Sequence, residues 1–184
     1  MNNISEDYLP RTIYQPTNKG VSSIADFGGK KITDYYRYIN RKMASPTNER
    51  TLISAIIPPK VTHIHGALSL IFNRKRDLLN FSSFTFSIVY DLFVRLMGKQ
   101  NVQTDILNKL PIFNDPPIQI ISRSLRLNCL TNYYSSLWES FFDKRFTYDN
   151  WSINDSRLKP WSSLSKSWKR NYALRTDFER RQAL

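Results

Sequence analysis

Residues 47–57 read Thr47-Asn48-Glu49-Arg50-Thr51-Leu52-Ile53-Ser54-Ala55-Ile56-Ile57, and Pro58-Pro59 follow at once. A polar, charged tetrad runs into a β-branched apolar stretch and stops at two prolines. Arg50 to Ile57 predicts a buried strand, because Ile53, Ala55, Ile56 and Ile57 leave little polar face. Proline has no N–H to give a sheet ladder, so Pro58-Pro59 end it. Upstream, Ser45-Pro46-Thr47-Asn48 is a turn signal. Downstream, Val61 to Phe72 predicts a second strand through Val61, Ile64, Leu68, Leu70 and Ile71, with Gly66 as a bulge or turn.

On the N-terminal side, Ile32 to Met43 carries Tyr35, Tyr36 and Tyr38 with Arg37, Arg41 and Lys42 among them, and its period fits either a short helix or a strand. Residues 1–31 hold Gly20, Gly28 and Gly29, three of the chain's five glycines, and read as a loop-rich segment with short extended pieces. Beyond residue 77 the period becomes helical. Ile88, Val89, Leu92, Phe93, Leu96 and Met97 mark one apolar stripe within Asp77 to Met97, and Gly98 is its natural stop. The start of this helix is open, since Phe81 to Phe86 also alternates like a strand. Thr104 to Leu110 predicts a short helix halted by Pro111, and Ile118 to Phe142 a long amphipathic one. Tyr148 to Lys159 reads as a polar loop. Trp161, Leu164, Trp168 and Tyr172 then mark a further helical stripe. Arg175 to Leu184 opens an element that the chain leaves unfinished, as a fragment or truncated chain would. The pattern is α+β, with short β segments in the N-terminal half followed by a mainly helical C-terminal half. Its organisation is a 1–31 lead-in and one domain over 32–184.

With 184 residues, 41% of them apolar, the chain can bury a core of one domain. Its 27 Lys and Arg against 15 Asp and Glu leave a net charge of +12. Such a surplus favours a polyanionic partner, because each neutralised phosphate releases condensed counterions. The excess occurs in every third of the chain, so it decorates folded surface rather than a detachable tail. Cys129 is the sole cysteine, which excludes an internal disulfide and fits a reducing compartment. It lies in an apolar pattern and reads as a small buried side chain. The polar N-terminus is unlike a signal peptide, and no apolar run is long enough for a membrane span, so a cytoplasmic protein with no membrane partner is expected.

Four strings, in order, carry a resemblance to a known family. They are Tyr36-Arg37-Tyr38-Ile39 with Thr47-Asn48-Glu49-Arg50-Thr51 and its strand, Tyr90-Asp91-Leu92-Phe93-Val94-Arg95, Leu107-Asn108-Lys109-Leu110-Pro111, and the stretches Leu127 to Thr131 and Leu174 to Leu184. The second is similar to a Phe-Asp-x-x-x-Arg helix. Together they resemble the target-recognition, C-terminal region of large bacterial DNA adenine-N6 methyltransferases of combined restriction–modification or phage-defence systems. The resemblance implies double-stranded DNA as a partner, beside a methyltransferase catalytic domain or subunit. It implies S-adenosylmethionine for the parent enzyme and no cofactor in this chain.

Three strings approach chemical motifs and fall short of them. Phe27-Gly28-Gly29-Lys30 lacks the flanking strand and helix of a methyl-donor site. Asp115-Pro116-Pro117-Ile118 resembles the amino-methyltransferase motif, but Ile118 is a poor substitute for the ring that stacks on a flipped base, and no apolar strand leads into it. His63-x-His65 has neither cysteines nor carboxylates nearby to complete a zinc set. Binding without catalysis is therefore the expectation. A duplex reader needs cations on phosphates and amide or guanidinium groups on base edges. Arg37, Arg41, Lys42, Lys60, Arg74, Lys75 and Arg76 are the candidate phosphate contacts; Asn48, Arg50, His63 and His65 are the candidate base contacts. Arg50 has a competing role, bracing the turn into its strand with Glu49. The alternative reading is a protein-interaction module that docks on a methyltransferase or defence-complex partner.

Overall fold

The structure, a computed structural model, describes residues 4–10, 17–45 and 47–184. Pro46 of the turn signal and part of the N-terminal lead-in lie outside them. Two compact units result: Leu9–Ile112, and Phe113–Leu184 together with Met1–Tyr8. Their boundary falls inside the stretch that the sequence reads as one domain.

In the Leu9–Ile112 unit a short helix, α1 (Asn18–Ser22), is capped by the Thr17 hydroxyl, which accepts from Gly20 N at 3.1 Å. Strands β1 (Asp26–Phe27) and β2 (Lys30–Lys31) form a two-residue hairpin. Gly28 and Gly29 turn it at φ 56° and 78°, the left-handed region that tight hairpins require. A 3₁₀ turn (Ile32–Asp34) leads into β3 (Arg37–Arg41), so the tyrosine-rich segment is a strand through its centre. β4 (Ser54–Ile57) and β5 (Ala67–Leu70) flank β3 antiparallel, in the order β4-β3-β5. Tyr38 stands opposite Ile56 and Leu70, Ile39 opposite Ala55 and Ser69, and Arg41 opposite Ala67.

Both strands are shorter than their apolar patterns suggest. β4 begins at Ser54 because the N–H groups of Thr51 and Leu52 are taken by the Asp91 carboxylate, at 2.7 and 2.6 Å, and not by a ladder. The residues before β5 are likewise diverted, with Val61 O receiving the Arg37 guanidinium.

Helix α2 (Lys75–Thr85) covers one face of the sheet. Fully buried Tyr38 meets Phe81 edge to face at 5.0 Å, a pairing worth about 1 kcal/mol beyond the area it buries. The single helix expected over Asp77 to Met97 is two. Ser87, extended at φ −73° and ψ 152°, ends the first and caps α3 (Ile88–Leu96) by accepting from Tyr90 N. Gly98 closes α3 at φ 64°, as its position predicts. A one-turn helix, α4 (Thr104–Leu107), follows.

The second unit is mostly helix and irregular chain. The long helix expected over Ile118 to Phe142 is broken into α5 (Ile118–Asn128) and α6 (Ser135–Phe141). Thr131 turns extended between them, and Asn132 N donates to Glu6 O at 2.8 Å instead of continuing a helix. The stripe from Trp161 to Tyr172 packs inward without an α-helix; only Arg170–Tyr172 forms a 3₁₀ turn. Trp138 is the centre of this core, ringed by Tyr172, Phe142 and Phe146 at 5.4 to 6.4 Å. Trp161 is also buried, and half-buried Trp168 donates to Cys129 O at 3.0 Å. α7 (Asp177–Ala183) starts on a reciprocal capping box between Thr176 and Glu179. Short antiparallel strands in the N-terminal half and helices mostly in the C-terminal half make the chain an α+β protein. Among the described residues no helix is long and apolar enough to cross a membrane.

Candidate nucleic-acid interface

Strand alternation sends Tyr38 and Asn40 toward α2, and Arg37, Ile39 and Arg41 to the other face of the sheet. Two cationic groups stand at the two ends of β3. At its C-terminal end, Arg41 Nη1 and Nη2 reach the Asn48 amide oxygen at 3.3 and 3.0 Å when that amide is turned to meet them. Lys42 follows, and its Nζ donates to His65 Nδ1 at 3.4 Å. At the N-terminal end, Lys75 Nζ lies 5.6 Å from the centre of the Tyr36 ring, and Arg74 and Arg76 are exposed beside it. Lys60 joins that end, its N–H donating to Thr33 O. β3 spans about 13 Å at the usual rise per residue, close to the width of a DNA major groove.

Lys60 is the one non-glycine residue at positive φ among the described residues, at 67°. A side chain with a Cβ costs about 1–2 kcal/mol in that conformation.

Three of the expected contacts have other occupations. Arg37 is 2% exposed, its guanidinium bonded to Val61 O and to Ser69 Oγ at 3.4 Å, so it reaches no phosphate. His63 sits in the same chain of bonds: Nε2 meets Ser69 Oγ at 2.8 Å and Nδ1 meets Ile64 O at 3.0 Å, leaving neither ring nitrogen for a base. Arg50 donates to the carbonyls of Phe86 and Ser87 at 3.0 and 3.1 Å and pairs with Asp91 at 3.4 Å. It is a brace, as its competing reading had it, but its partners are on α3 and at the helix break. Arg74 is exposed yet paired bidentately with Asp77 at 2.8 Å, which offsets part of its charge. Asn48, Lys60, His65, Lys75 and Arg76 are exposed, while Arg41 and Lys42 are half-buried and lean on Asn48 and His65.

Asp91 and Arg95 escape a search for surface contacts, and they organise the site. Asp91 is buried and accepts from both N–H groups at the entry to β4. Arg95, one helical turn on, donates to Asn48 O at 2.8 Å, Glu49 O at 3.0 Å and Thr51 Oγ1 at 3.0 Å. The α3 pair thus clamps the backbone of residues 48–52, while the exposed Asn48 side chain meets Arg41. An Asp and an Arg four apart on an otherwise apolar segment was the available signal.

The glycine pair at 28–29 turns a hairpin and precedes no helix, so its N–H groups are not arrayed at a helix N-terminus as a nucleotide-like donor needs. No family model, curated protein or solved structure matches the chain.

Proposed function

We propose that this chain is the target-recognition part of a restriction–modification or phage-defence DNA adenine methyltransferase of the bacterial cytoplasm. It grips and reads a duplex, and a catalytic domain or subunit carrying S-adenosylmethionine does the methyl transfer. The observation that carries this reading is the clamped segment at 48–52. Asn48, an amide suited to the paired acceptor and donor of an adenine edge, is exposed and aimed by Arg41, on a segment whose Asn48 and Glu49 carbonyls and Thr51 hydroxyl accept from Arg95. Arg41 and Lys42 flank it, and Lys60, Lys75 and Arg76 add cations at the other end of β3 for the phosphates of a duplex lying along the strand.

The test is a titration of fluorescent duplexes at several salt concentrations. Lys75→Ala should weaken all sequences about equally and lower the salt slope by about 1. Asn48→Ala should weaken the preferred sequence about tenfold and leave the others unchanged, in line with about 1–3 kcal/mol per base contact. No binding at low salt, or the same loss on every sequence for both variants, overturns the reading.

A further inference from the structure

The face of α3 opposite the clamp is apolar and open. Ile88, Val89, Leu92, Phe93 and Leu96 are all exposed, Val89 at 72% and Leu96 at 77%. At 3.6 residues per turn they fall within about 140° of the helix circumference. Tyr90, Asp91 and Val94 occupy the buried side. The two charges of the helix, Asp91 and Arg95, are spent on each other at 3.7 Å and on residues 48–52, so no charge stands on the open stripe.

We infer that this stripe is a two-fold interface on which a second copy of the chain docks, α3 against α3. Three observations select that occupant. First, the stripe leaves on the order of 600 Å² of apolar surface in water, the top of the range for the largest patch of a typical monomer, where such patches are often functional. Two such stripes face to face bury about 1,200 Å², where specific interfaces begin. Second, no charged side chain stands on the stripe, so two copies meeting there bring no like charges into direct contact, despite the net charge of +12. Third, a two-fold contact needs a self-complementary surface. Residues at 88, 89, 92, 93 and 96 form a continuous ridge centred on Leu92, which an antiparallel copy of the same helix can cross at that residue. The inference stands apart from the DNA reading, and it can fail while that reading holds.

Sedimentation equilibrium of the chain without DNA, at about 0.15 M salt, tests it. The expected mass is twice that of one chain at high micromolar concentration. The double variant Val89→Glu with Leu96→Glu should return the mass of one chain with an unchanged circular dichroism spectrum, since both positions are exposed. Leu92→Cys, oxidised, should give a disulfide-linked pair, and Ile64→Cys, also exposed, should not. Cys129 is buried and does not compete. A single-chain mass for the unmodified protein overturns the proposal, including when another protein is then found on the stripe. So does a dimer that the double variant leaves intact.

Discussion

Asp91 shows how much one buried carboxylate decides. It holds two backbone N–H groups and two arginines, and hydrogen bonds to a charged group are worth about 1.5–3 kcal/mol each. Asp91→Ala should destabilise the protein by at least about 2 kcal/mol in urea unfolding, because the Thr51 and Leu52 N–H groups lose their acceptor. Asp91→Asn keeps an acceptor and should cost less. Arg50→Ala should behave as a stability variant, with duplex preference unchanged, whereas Asn48→Ala should change preference with little effect on stability. A pairing of urea unfolding with DNA titration separates the two roles. Cys129, whose thiol burial pushes its pKa up, should resist a thiol reagent in the native state and react once unfolded.

At the scale of elements, α3 is the clearest departure from the apolar pattern. Periodicity assigns the stripe at 88, 89, 92, 93 and 96 to the core, yet the helix turns Tyr90, Asp91 and Val94 inward instead. An Asp–Arg pair can satisfy four backbone groups of a neighbouring segment, which an apolar face cannot do. Ser87→Ala removes the cap that separates α2 from α3 and should cost about 1 kcal/mol in thermal or urea unfolding. α7 carries a pH response. Burial works to raise the Glu179 carboxyl, but N–H bonds from Thr176 and Arg175, with Lys159 at 3.3 Å, hold it below its ordinary value of 4.5. The folded state therefore binds that proton less readily than the unfolded one. Its stabilisation is present above the ordinary carboxylate value and is lost as pH falls through the lower folded value. Glu179→Gln should flatten that part of the stability profile, which falls as pH drops below the ordinary carboxylate value. In the same unit Arg126 is 1% exposed, stacked 4.2 Å over Trp161, and burial brings its guanidinium down to about 10.

For the whole molecule the charge of +12 is the property that acts at a distance. Duplex affinity should fall steeply with salt, and each cation among Arg41, Lys42, Lys60, Lys75 and Arg76 that is replaced by alanine should reduce the slope. Lys60→Gly should lower affinity in the same general way while leaving stability equal or higher, since it also removes the left-handed strain. The sequence by itself determined the α+β class, the strand ending at Pro58-Pro59, the stop at Gly98 and the burial of Cys129 and Trp138. These follow from local chemistry: missing N–H groups, permitted φ, and apolar side chains with nowhere else to go. It did not show that Arg37, Arg50 and His63 face inward, that α3 is inverted, or that the long helices break at Ser87 and Thr131. Those were decided by tertiary structure. A buried polar group goes where partners distant in the chain can satisfy it, as Val61 does for Arg37 and Asp91 for Thr51, and no periodicity along the chain encodes that pairing.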